Sequence, residues 1–497
     1  MTPEMPIPSS VTGAVWTDVA ERSDVGLLRA LAVTAGISWS IAFVVIGLRY
    51  DLQMYADGSI FAYSVAAQDA WAFHWHNIPG RLFVYLFSYV PAETYSELTS
   101  DARGAVTVHG LLFFAAPLLG LAATWATDRS RDRIIFACAC LSTACLCPLV
   151  FGFPTEMWMA HALFWPSLAV CHYARGGFGE ITLVFAALLA LLFTHPGALI
   201  LELGILATLL LRGRRDAALL RAAGAFLIVA SIWIVVQLTF PPDPYVGRAL
   251  WRAALRVFDV STLTGDPVRL LFGAIIGYGI AFLALGRLAG AKAHIYAGAI
   301  VALALAVYWL RFDHELETDN RYYLRTLLVI ATPMLGLLAM VAALRADGSL
   351  RSPVAIPPRL AATFATEPVA RLIAGAIVLV MLVHTVETAK FVAAWSRYTH
   401  EVRVLANGAT SDPSLGDSHF VSSERIGSEL NRLAWSSTTP FLSVLVAPKF
   451  APAKLVVDPS ENYFWLSCKT ATANEEADRV IPVQTRRLVR IHACLHR

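Results

Sequence analysis

Apolar runs of about 20 residues recur along this chain with short polar breaks between them, as in LLRALAVTAGISWSIAFVVIGL at 27–48. That is the length an α-helix needs to cross roughly 30 Å of hydrocarbon, where only helices and closed barrels satisfy their own backbone hydrogen bonds. The pattern predicts an all-α polytopic membrane protein with about eleven transmembrane helices, at 27–48, 105–126, 134–152, 159–174, 181–196, 197–211, 218–240, 268–286, 294–310, 324–344 and 371–391. Composition agrees, since 57% of the 497 residues are hydrophobic and 15% charged, against about 25% charged in a soluble domain. A net charge of +3 without a clustered basic face gives no reason to invoke nucleic acid.

Basic residues in short loops set the orientation. Arg129, Arg131 and Arg133, then Arg212, Arg214 and Arg215, then Arg345, Arg351 and Arg359 fall on one side, which is expected to be cytoplasmic together with the segment 1–26. That segment lacks a basic start and a small-residue cleavage site, so the first apolar run is read as a retained anchor. The long first outer loop 49–104 and the loops 153–158, 241–267 and 312–323 would then face outward from a bacterial-type inner membrane. The domain organisation expected is a transmembrane domain at 27–392 and a small extracytoplasmic α/β domain at 393–497.

In that tail SSERIGSELNRLAW reads as a helix, and FLSVLVAP, KLVVDP, NYFWLSC and RRLVRIHAC as short strands. Cys468 and Cys494 could pair in an oxidising compartment, whereas Cys138, Cys140, Cys145, Cys147 and Cys171 sit in apolar spans and read as packing residues. The tail carries no nucleophile motif or phosphate loop, which leaves acceptor binding or support as its role.

The first outer loop holds Asp51, Asp57 and Asp69 close to the membrane exit. An ionised Asp is costly at the bilayer centre and cheap at its surface, so any of them could be a solvated loop residue. Asp57 stands out because Phe61, Tyr63, Trp71, Phe73 and Trp75 follow it, residues suited to the headgroup layer. Beyond them FHWHNIPGRLFVYLFSYVP supplies His74, His76 and Arg81 ahead of an apolar run too short to span, which suggests a re-entrant or surface helix. On the same side lie Glu156, His195 beside Pro196, Arg321 with Tyr322, and Arg248, Arg252 and Arg256 at four-residue intervals. Guanidinium groups suit phosphate because they hold two oxygens at once. Alternatively, the 248–256 arginines snorkel from an amphipathic connector, His195 caps a broken helix, and Glu156 is an ordinary loop polar residue.

The setting Tyr55-x-Asp57-Gly58-x-x-Phe61 after a first span resembles the GT-C superfamily of membrane glycosyltransferases, as do Glu156 in a short outer loop and Arg321-Tyr322 with Pro333 opening a late span. The resemblance covers about the first 345 residues as architecture and implies sugar transfer from a polyprenyl-phosphate donor to an extracytoplasmic glycan, lipid or protein. It implies Asp57 as catalytic base with Asp51 in reserve, Glu156 as a second acid, and Arg81, His74, His76, His195, Arg248, Arg252, Arg321 and Tyr322 as substrate-binding residues. Gly58 departs from the pattern by replacing a second acid, which leaves a divalent metal open and assigns no metal ligand. Two other readings remain. Glu202 within ALILELGILATLLL, with His195 nearby, would suit a proton-coupled transporter, and the tail would suit a non-catalytic scaffold.

Overall fold

The computed structural model describes residues 11–66, 68, 70–71, 79–147, 155–241, 251, 255, 266–312, 324–348, 367–408, 420–431, 433, 438–450 and 452–457. These form a helical membrane protein. Among the described residues seven helices are long and apolar enough to cross a bilayer: α1 (Val11–Arg49, apolar from Gly26), α4 (Ala102–Thr127), α9 (Ala217–Thr239), α10 (Asp266–Ala289), α11 (Ala293–Arg311), α12 (Leu324–Ala346) and α13 (Glu367–Ala406). Four expected spans are shorter helices: α5 (Ile134–Leu146), α6 (Glu156–Tyr173), α7 (Phe178–Leu192) and α8 (Ala198–Leu209). Two further helices, α2 (Asp57–Ala66) and α3 (Val90–Thr99), fold the 49–104 segment against α4.

Helix α6 is the hub. It packs on α4, α5, α7, α8, α9 and α12, and every residue from Glu156 to His172 except Leu163 is buried. A helix apolar on all sides has no lipid or water face, and burial within the bundle is its stable place. Small residues let its neighbours close in. A Cβ at Gly120 of α4 would stand 2.5 Å from the Ala162 carbonyl, which Pro166 leaves without its usual helical donor. Likewise a Cβ at Gly36 of α1 would lie 2.5 Å from the Cys140 carbonyl of α5.

The bundle has two chemically distinct ends. At one, Arg29 pairs with Asp132 at 3.5 Å, the Arg131 amide donates to Asp347 at 3.0 Å, and Arg212 and Arg221 donate to the carbonyls of His172 and Ala174. The 129–133 loop therefore meets the end of α12, and Arg351 and Arg359 lie outside the described residues. At the other end the 49–104 segment joins the tail. Tyr55 donates to the Leu433 carbonyl at 2.6 Å, Ser59 to that of Thr438 at 3.0 Å, and Arg103 to that of Ala447 at 2.8 Å.

The tail departs from expectation in two elements. FLSVLV lies in a helix, α14 (Thr439–Val446), not a strand. Pro440 in its first turn is a helix-start signal, and a short apolar run that is buried on all sides has no periodicity to separate helix from strand. KLVVDP does contain a strand, β2 (Leu455–Val457), which pairs in parallel with β1 (Phe420–Ser422). In SSERIGSELNRLAW the helix is a single turn, Ser428–Asn431. The 392/393 boundary falls inside α13, so one helix of 40 residues, about 60 Å long, carries the chain from the bundle into the tail. NYFWLSC, RRLVRIHAC, Cys468 and Cys494 lie outside the described residues.

Candidate functional site

Asp57 opens α2 directly after Ala56, whose φ of 50° places a non-glycine residue in the left-handed region. That turn reverses the chain after Leu52–Met54 and sets the Asp57 carboxylate at the positive end of a helix dipole. The aromatic motif residues frame it. Tyr55 packs edge-on against Phe391 and Trp395 while its hydroxyl holds the tail, and Phe61 meets Tyr89 edge-on at 6.2 Å. Gly58 has a steric reason. A Cβ there would collide with the Gln53 carbonyl, so no acidic residue fits at this position in this fold.

Glu156, the first residue of α6, accepts a hydrogen bond from Arg81 Nη1 at 2.7 Å. Both side chains are largely withdrawn from solvent, with 24% of Arg81 and 7% of Glu156 exposed. The Arg81 turn is fixed from two sides. Phe83 donates its amide to the Phe193 carbonyl at 3.1 Å, and Trp233 of α9 donates to the Gly80 carbonyl at 3.4 Å. Next comes a π-helical turn, Tyr85–Tyr89, of the kind often found at functional sites. It presents Tyr89 to the charged cluster. Burial holds the Tyr89 phenol well above its ordinary pKa, the carboxylates of Glu156, Asp57 and Glu93 raise it further, and Arg81 opposes them. Asp57, Arg81, Glu93 and Glu156 thus share one electrostatic neighbourhood. Glu93 also accepts the Ala70 amide at 2.8 Å, and His109 of α4 lies on Tyr89 at 4.9 Å.

The remaining candidates fall in different places. Asp51 is in the left-handed region (φ 52°), where it accepts from Gln53 at 3.3 Å. Surrounding protein raises its carboxyl above the ordinary 3.8, against the opposing charges of Arg103, Arg403 and Arg49. His195 caps the break between α7 and α8, where its Nδ1 accepts the Gly197 amide at 3.0 Å. Its turn adjoins Met157, one residue from Glu156. Glu202 is fully buried, and neither carboxyl oxygen has a hydrogen-bond partner. Asp69, His74, His76, Arg248, Arg252, Arg256, Arg321 and Tyr322 lie outside the described residues. Of the 248–256 segment, Trp251 and Leu255 are described, 67% and 57% exposed, as an apolar stripe facing lipid would be.

Sequence reading missed Tyr89, Glu93 and His109. Tyr89 was hidden in an apolar run, and His109 sits within a span that hydropathy alone explains. Among the described residues no group of three His, Cys, Asp or Glu has the arrangement to hold a metal ion. Compared with protein-family models the chain matches none, and a search of the curated proteins returns no match.

Proposed function

We propose that this chain is a polytopic membrane glycosyltransferase that takes a sugar from a polyprenyl-phosphate donor and passes it to a glycan, lipid or protein acceptor on the tail side of the membrane. The observation that carries the reading is the largely buried Arg81–Glu156 pair at 2.7 Å, at the end of the bundle where α2, which Asp57 opens, docks the tail through Ser59. In this reading the chain crosses the membrane eleven times, the four shorter helices included, and the tail-side end faces outward. Asp57 accepts the proton of the acceptor hydroxyl as that oxygen attacks the anomeric carbon. The bond from that carbon to the phosphate oxygen breaks, and the electron pair leaves with the lipid phosphate. Arg81, steered by Glu156 through one nitrogen, keeps other N–H donors for the phosphate charge. General-base assistance of this kind contributes about 10²- to 10⁴-fold.

The test is transfer of a radiolabelled sugar from synthetic polyprenyl-phosphate donors by the purified protein in nanodiscs. Asp57→Asn should lower the rate at least about 100-fold while elution volume and melting temperature stay put. An unchanged rate would remove Asp57 from the chemistry, and no transfer by the parent protein would return the chain to the scaffold reading. The buried, unpartnered carboxyl of Glu202 favours one other reading, a proton-coupled transporter. Substrate-driven proton uptake into proteoliposomes that Glu202→Gln abolishes would establish it.

A further inference from the structure

Helices α10 and α11 form an antiparallel hairpin that rests on α13 and otherwise faces outward, with only 17% and 22% of their apolar windows buried. Between them runs a groove of about 460 Å³, within the range of ligand-sized sites. Gly273 and Gly277, one helical turn apart on α10, form its floor opposite Val301 and Ala304 of α11. These glycines differ from Gly36 and Gly120, where a side chain would strike a neighbouring backbone. A Cβ at Gly273 meets nothing within 4 Å, and one at Gly277 meets only Val301 Cγ2 at 3.8 Å. Here the missing side chains leave space instead of closing a helix contact.

Arg269 and Tyr308 line the groove at one end. Arg269 is in the first turn of α10 and Tyr308 in the last turn of α11, which puts both at the same membrane surface. Both also engage protein groups. An apolar slot with a guanidinium at its mouth has the polarity of an amphiphile, with chain below and anionic headgroup above. The groove's helices pack on α13, whereas the Arg81–Glu156 pair joins α6 to the Gly80 turn that Trp233 of α9 holds. We infer that the α10–α11 groove is a binding site for an anionic glycerophospholipid, one acyl chain lying over Gly273 and Gly277 and the phosphate at Arg269. Bound there, the lipid fills what would be a void in the bilayer face of the hairpin and stabilises the folded chain by mass action.

Full-length protein purified in an uncharged detergent would be titrated with phosphatidylglycerol, phosphatidylcholine or polyprenyl phosphate and read by native mass spectrometry and thermal shift. Phosphatidylglycerol should bind about five- to tenfold more tightly than phosphatidylcholine, the preference expected of one arginine at an anionic headgroup. Gly277→Leu, which fills the groove, should abolish binding, and Arg269→Gln should erase the preference. Gly279→Leu, with nothing within 4 Å of its Cβ and off the groove lining, should bind as the parent does. Gly273→Leu substitutes if the Gly277 variant fails to fold. Retention of phosphatidylglycerol by the filled groove, or equal binding of the two phospholipids, would overturn the inference. Tighter binding of polyprenyl phosphate would also overturn it by assigning the groove to isoprenoid lipids. None of these outcomes depends on Asp57.

Discussion

Arg81 and Glu156 are 75 residues apart in sequence and 2.7 Å apart in the fold, and the proposed site is built on their pairing. Charge centres about 4 Å apart at an effective dielectric near 20 attract by about 4 kcal/mol, much of it offset by the cost of desolvating both groups. The measurable quantity is the cost of orphaning one partner, about 3–5 kcal/mol for a buried pair. Glu156 is the more deeply buried, with 7% of its side chain exposed against 24% for Arg81. Arg81→Gln takes the counter-ion from the deeper charge and should cost about 3–4 kcal/mol, whereas Glu156→Gln leaves a cation that reaches water and should cost about 2–3 kcal/mol. The double variant strands neither, so it should be no worse than the worse single, a coupling of about 2–3 kcal/mol. Sodium dodecyl sulfate titration of all four proteins in mixed micelles at pH 7, followed by tryptophan fluorescence, gives the cycle. Costs that add to within about 0.5 kcal/mol would refute the argument, because independent sites behave that way.

Three further outcomes follow from the same geometry. Gly58→Asp, which sets a second acid beside Asp57, should destabilise the chain by more than about 2 kcal/mol in that titration, because its Cβ enters the space of the Gln53 carbonyl. Asp51 keeps its proton to higher pH in the folded chain than its ordinary 3.8, so the folded state binds more protons in the window just above that value and stability falls as pH rises through it. Asp51→Asn should flatten that limb of the pH–melting profile and raise the melting temperature at pH 7. Phe441 is 4% exposed and packs edge-on against Tyr63 at 5.5 Å, so Phe441→Ala should cost about 3–5 kcal/mol and speed limited proteolysis between α13 and α14.

Legibility differed by element for physical reasons. The seven long apolar helices coincide with expected spans because hydrocarbon thickness acts on every crossing segment alike, and hydropathy records it locally. Helix α6 could be read only as one more apolar stretch. Its place at the centre depends on which neighbours surround it. FLSVLV was misread because a fully buried run of that length carries no period. In the site, Asp57, Arg81 and Glu156 could be picked out as polar residues at the ends of apolar runs, whereas Tyr89 and His109 were masked by the apolar stretches that hold them.

By itself, the order of residues determined that this chain belongs in a bilayer, roughly where its helices run, and which polar residues collect at each end, since these follow from the cost of exposing backbone and charge to hydrocarbon. Tertiary structure decided the partnerships: Glu156 with Arg81, Tyr55 with the Leu433 carbonyl, and the Gln53 carbonyl in the space that reserves position 58 for glycine. Such contacts join groups far apart in sequence, or across a turn whose shape local propensity does not set, and they exist only once the packed helices have fixed where each backbone lies.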